Sequence, residues 1–175
     1  MGLTNLVITI LISALIVVIG IPAGNRYVVQ SSVPPVAEDM QRYIASVKIN
    51  AQGEGMTPYE GLTQATFARN IKDGALKVNP TTGLVLHGLG GSSNSGTVTV
   101  SETGDTASWT FADLSSYACP GFPSTMQKAV QTITINGRTV KAVDANNNVT
   151  TEYTSARAGG ACTDGDTNEV VLTIR

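Results

Sequence analysis

The first charged side chain in the chain is Arg26, and the twenty-five residues before it are uncharged. Thirteen large aliphatic residues lie in that stretch, among them Leu6, Val7, Ile8, Leu11, Ile12 and Leu15. A run of about 20 apolar residues is long enough to cross the hydrocarbon of a bilayer as a helix. The remaining ~145 residues suit one small domain and are too few to enclose such a helix as a soluble core. The stalk must therefore hide in lipid, in other copies of itself, or in both. A secretory signal fits poorly, because no Lys or Arg precedes the apolar run and the run is too long.

After the stalk the pattern changes. Ser31-Ser32-Val33-Pro34-Pro35 is expected to interrupt the helix, since a residue before proline is pushed out of helical geometry. Proline is at home in a first turn, so a second helix is expected over 35–51. Its apolar positions Val36, Met40, Tyr43, Ile44 and Val47 share one face at the 3/4 spacing. Glu38 and Asp39 near its start and Lys48 near its end suit the helix dipole. Residues 53–61 read as loop and 62–70 as a short helix around Phe67. Asn79-Pro80-Thr81-Thr82-Gly83 is a turn, and a strand is expected over 84–87. Strands over 97–101 and 107–111 flank the Thr103-Gly104-Asp105 turn. Ser124-Thr125-Met126-Gln127 has the form of a capping box, which predicts a helix over 123–130. Asn136-Gly137 between 132–136 and 139–143 is the strongest hairpin signal in the chain. A last strand covers 169–175, with Val170, Leu172 and Ile174 on one face. The predicted class is α+β: a long N-terminal hydrophobic helix, weak near Gly20-Pro22 and again at Pro34-Pro35, packed on an antiparallel sheet of about four or five strands. The organisation is a stalk over 1–30 and a globular head over 31–175.

Composition narrows the chemistry. Lys and Arg (11 together) are scattered against 13 Asp and Glu, for a net charge of −2. No basic run speaks for nucleic acid. The two cysteines, Cys119 and Cys162, are an even count on a chain whose stalk suggests export, which points to a disulfide in an oxidising compartment. The alternative is a pair of buried free thiols. A bridge closing a loop of about forty residues stabilises by about 4 kcal/mol in the chain-entropy account. His87 is the one histidine. It lies beside the loop Gly88-Leu89-Gly90-Gly91 without an acid or cysteine near it in sequence, so no catalytic group is expected. That loop opens no helix after a βαβ pattern, so it is not a phosphate cradle. Asp164-Gly165-Asp166 lacks the twelve-residue calcium pattern, and the cysteines lack zinc spacing; no metal or other cofactor is expected. Trp109 and Phe111 read as core or inter-subunit contacts. The polar stretch 144–151 reads as an outward loop.

The opening Met1-Gly2-Leu3-Thr4-Asn5-Leu6-Val7-Ile8-Thr9-Ile10, the apolar helix with Gly20 and Pro22, the amphipathic continuation and a Gly-rich domain with two C-terminal cysteines resemble a mature type IV pilin. Met at the first position, Tyr117-Ala118-Cys119-Pro120 and the final cysteine with a strand after it resemble the type IVb branch. The pattern looks most like pilins of conjugative thin pili and related enterobacterial pili. The resemblance implies removal of a basic leader by a prepilin peptidase and methylation of Met1. It implies passage through the inner membrane, a pilus assembly machinery, and self-association into a helical homopolymer displayed outside the cell. It leaves open a receptor on a host or recipient cell. A register starting at Leu3 would put Val7 at the fifth position, but no basic stretch precedes Gly2. One departure concerns chemistry: the family's usual glutamate at the fifth position is Asn5 here. Asn5 carries no charge and a buried unpaired ammonium is costly, so either Met1 stays near water or headgroups, or Asn5 and Thr4 solvate its amine by hydrogen bonds.

The expected function is a structural pilin subunit, with Met1, Thr4, Asn5, Leu11, Ile12, Gly20 and Pro22 at the assembly contacts. Gly20 and Pro22 would supply a stretchable point, since Pro22 has no amide hydrogen and crowds the carbonyl of Val18. The alternative is a monomeric binding module or adhesin held on a single span.

Overall fold

The computed structural model describes residues 3–52, 55–72, 74–91 and 96–175, with 3–25 described as helical backbone only. α1 (Leu3–Ala51) is one helix of 49 residues, roughly 70 Å at 1.5 Å per residue. The break expected at Ser31–Pro35 does not occur. Pro34 and Pro35 cannot bond back to Gln30 and Ser31, but Gln30 and Ser31 are exposed, so water can satisfy their carbonyls. The Ser31 and Ser32 hydroxyls each donate to the Val28 carbonyl at 2.9 Å. Val33, Val36 and Ala37 are buried on either side of the prolines. Packing on the head therefore outweighs two missing backbone bonds, and the predicted helix over 35–51 is the C-terminal part of α1.

The predicted apolar face is the one that packs: Val36, Met40, Tyr43 and Ile44 are all buried. Beyond α1 come α2 (Gln64–Asn70), β1 (Lys77–Val78), β2 (Val85–Leu86), β3 (Thr97–Glu102), β4 (Ala107–Leu114), α3 (Gly121–Met126), β5 (Thr132–Ile135), β6 (Arg138–Val143), β7 (Val149–Thr151), α4 (Ser155–Gly159) and β8 (Asn168–Ile174). The strands form one antiparallel sheet in the order β1-β2-β3-β4-β8-β5-β6-β7. Five of its strands, β3 to β6 and β8, have four residues or more. β1, β2 and β7 are two or three residues long and widen the sheet beyond the expected four or five, β2 lying inside the strand expected over 84–87. Strands that short carry no readable alternation.

Period-two patterning places Trp109 and Phe111 of β4, Val170, Leu172 and Ile174 of β8, and Ile133 and Ile135 of β5 on one face, all fully buried. α1 lies over that face. The Tyr43 ring stands edge-on to Trp109 at 5.9 Å and tilts against Phe67 of α2 at 5.0 Å. Trp109 and Phe111 are thus core residues. On the opposite face Ser108 and Thr173 hydrogen-bond at 2.9 Å across β4 and β8.

Two turns keep closely to the sequence pattern. Thr63 caps α2 by a reciprocal bond with Thr66, and Asn136-Gly137 links β5 to β6 with both residues in the left-handed region (φ 49° and 75°), as a two-residue hairpin requires. The capping box expected at Ser124 does not form. α3 begins earlier, at Gly121, without a side-chain cap. The amides of Ala118 and Cys119 both donate to the Ser115 carbonyl, and Phe122 donates to Ala118, so the chain is already wound when it reaches Ser124.

Candidate functional site: the stalk–head junction

All of the predicted assembly contacts fall on the stalk. Met1 lies outside the described residues, as do the side chains at Thr4, Asn5, Leu11, Ile12 and Pro22; α1 runs as helix through Gly20 and Pro22. Among the described residues no helix is long and apolar enough to cross a membrane, and the stalk over 1–25 is not among the side chains described.

At the junction the stalk enters the head through Arg26, which lies over the Tyr117 ring at 5.7 Å, an arrangement that favours the cation. Tyr27 and Val28 are exposed. Beside them a groove of about 580 Å³ is lined by Val28 and Val29 of α1, Leu86, the glycines 88, 90 and 91, and Tyr117. Gly90 is required there: its φ is +129°, and a Cβ would meet the Ser115 amide nitrogen at 2.3 Å.

His87 anchors this glycine segment. It is 1% exposed. The Leu89 amide can only donate, and it points at Nδ1 from 2.9 Å. Nδ1 is therefore the bare nitrogen, and Nε2–H donates to the Ala112 carbonyl at 2.7 Å. That carbonyl is available because β4 bulges: pairing with β8 slips between Phe111 and Leu114, and Asp113 takes a left-handed φ of 57°. Burial holds the imidazole below its ordinary 6.5, against opposing pulls from the Ala112 carbonyl and the Asp113 charge. His87 thus ties the glycine segment to β4 through its two ring nitrogens.

The disulfide forms between Cys119 and Cys162, 43 positions apart. Sequence reasoning missed what holds its far end. Asn168, at the head of β8, is fully buried. Its Oδ1 accepts from the Thr163 amide (2.7 Å), the Thr163 hydroxyl (3.1 Å) and Asn136 Nδ2 (2.9 Å). Its Nδ2 donates to the Leu114 and Thr163 carbonyls. Asn136 in turn receives the Glu169 amide and donates to Ala161. The one available signal was an asparagine at the start of a strand whose alternate residues Val170, Leu172 and Ile174 are apolar, where asparagine is depleted.

Further contacts tie α1 to α3 and to the segment between α3 and β5. Gln41 donates to the Thr125 carbonyl (2.8 Å) and Lys48 to the Ala129 carbonyl (2.6 Å). Lys141 donates to Gln127 and Val130; burial, and then Lys48, lowers its pKa. Among the described residues two buried polar atoms, Tyr43 Oη and Trp109 Nε1, have no hydrogen-bond partner. Burial pushes the Tyr43 phenol up to about 12, with Asn70 pulling weakly the other way while standing outside hydrogen-bonding geometry. A second cleft, about 870 Å³, runs between α1, α2 and residues 58–62. Across it the Asp39 carboxylate accepts from the Ala75 amide. Among the described residues no cluster could hold a metal ion, and Asp164 and Asp166 are exposed. The polar stretch 144–151 folds as a turn around Asp144, which accepts from the Asn146 and Asn148 amides (both 2.8 Å), and then as β7.

A long helix laid on an antiparallel sheet whose C-terminal part is closed by a disulfide is a pilin fold. The family described as PilS N terminal matches residues 37–175. The chain belongs to this family and is a type IV pilin of the IVb branch. Among solved structures it is similar to the crystal structure of type IV b pilin from Salmonella typhi, with 15% identity, a TM-score of 0.48, and 82% of this chain and 95% of that chain covered. No curated protein matches. Pilins are structural proteins.

Proposed function

We propose that this pilin polymerises through its stalk into an extracellular filament, with the stalk helices packed at the centre and the heads outward. Before assembly the stalk spans the inner membrane. What supports the reading is the continuity of α1: the helix that carries the uncharged stretch up to Asn25 also supplies Met40, Tyr43 and Ile44 to the head's core. Stalk packing and head position are thereby coupled through one rigid element.

Burial drives the assembly. Thirteen large aliphatic residues, at about 1.5–3 kcal/mol each, give tens of kcal/mol gross when the alternative is water. In lipid that drive largely disappears, so extraction is powered by assembly machinery. Met1 is the processed and methylated terminus. Thr4 and Asn5 solvate a neighbour's Met1 amine, and Gly20 and Pro22 let the helix yield as it leaves the bilayer. The filament serves surface functions such as adhesion or conjugation.

Leu11→Arg or Ile12→Arg should abolish fibres in electron micrographs of sheared cell surfaces, while the head keeps its disulfide and its Trp109 fluorescence. Normal fibres from either variant reject burial as the mechanism. Wild-type protein that stays with the membranes after shearing instead supports an anchored monomer.

A further inference from the structure

We propose that His87 is an acid-sensitive latch, which holds residues 88–91 against the core at neutral pH and releases them when its Nδ1 takes up a proton. Nδ1 is the acceptor for the Leu89 amide. A proton there places two N–H groups head to head, and one must turn away. No rotation of the ring restores the bond, because both nitrogens of the imidazolium are donors.

The disturbance passes along the backbone. Leu89 is fully buried, and its carbonyl accepts from the Ser115 amide at 2.9 Å. The Ser115 carbonyl accepts from Ala118 and Cys119. Displacing Leu89 therefore loosens both the wall of the groove beside Val28 and Val29 and the turn that leads into the disulfide. Space is tight on the other side too: the His87 amide donates to the Gly96 carbonyl at 2.9 Å, and a Cβ on Gly96 would sit 3.0 Å from the His87 ring.

The groups facing the ring are few. On β4, Asp113 favours the cation, and Phe111 packs on the imidazole at 5.9 Å, backed by Phe122 of α3. Residues 88–91 carry no charge. Lys77 and Asp166, of opposite sign, line the groove beyond them. Among the described residues no carboxylate is hydrogen-bonded to the ring; burial prevails and the imidazole is lowered from 6.5. A group depressed in this way contributes stability that is complete above 6.5 and is lost as pH falls from there toward the folded value. This latch is independent of polymerisation.

The test is hydrogen exchange with NMR on the full chain in detergent micelles. After correction for intrinsic exchange, the amides of Leu89 and Ser115 should lose about tenfold or more of their protection between about pH 7.5 and pH 5, while Asn136 and Glu169 keep theirs. The His87 ring resonance should titrate with the same midpoint, below 6.5. His87→Gln should remove the pH dependence at Leu89 and Ser115. Equal protection at both pH values overturns the latch, as does an unchanged pH dependence in the glutamine variant. Should that variant not fold, the coincidence of the wild-type ring and Leu89 midpoints decides alone, and separate midpoints reject it.

Discussion

Asn168 makes five hydrogen bonds from a fully buried side chain. Asn168→Ala leaves the Leu114 carbonyl without its side-chain partner in the core, at about 1–3 kcal/mol for a buried group left unpaired. Urea unfolding should show a loss of about 1–3 kcal/mol for this variant, against no more than about 0.5 kcal/mol for Asn146→Ala in the exposed turn. Comparable losses would mean that the network contributes nothing. Neither Asn168 nor His87 announced its role, because a hydrogen-bond partner distant in sequence leaves no local pattern. Asn136 was legible for its turn and not for its side chain. The left-handed geometry of Asn136-Gly137 is a local demand, whereas the reach from Asn136 to Ala161 and Asn168 is set by the fold.

Elements were readable in proportion to their length and periodicity. The stripe from Val36 to Val47 and the alternation in β4 and β8 both reappear as the buried faces, since burial selects the residues that make the pattern. Pro34-Pro35 misled for a physical reason: local backbone preference is a few kcal/mol, and the head covers Val33, Val36 and Ala37 with enough apolar surface to exceed it. β1 and β2 are paired by the Asn79–Gly83 turn, in which Asn79 receives the Thr81 and Thr82 amides; that turn and the apolar run holding β2 are legible locally, and the two residues of β1 are not. The two cysteines allowed one pairing, and the bridge spans α3, β5, β6, β7 and α4. Replacing both Cys119 and Cys162 by serine should lower stability by about 4 kcal/mol, the cost of releasing a loop of that length. A thermal midpoint unchanged by the double replacement would contradict this.

At the scale of the whole molecule, α1 belongs to two assemblies at once. Its C-terminal half completes the head's core and its N-terminal half is the stalk. A change in that core face should therefore weaken the entire head rather than fray one helix. Ile44→Ala is expected to cost about 2–5 kcal/mol and to shift Trp109 fluorescence and the exchange of β8 amides to the same lower denaturant concentration, as one cooperative unit does. Two separate transitions would show that α1 is an attachment and not part of the core.

The sheet order carries one more consequence. β8 lies between β4 and β5, so the middle of the sheet is supplied by a strand synthesised after all the others. Until then the growing polypeptide presents two open half-sheets, one ending in Trp109 and Phe111 and the other in Ile133 and Ile135. The head closes only after synthesis has passed Ile174, and newly made chains must be kept apart for that interval.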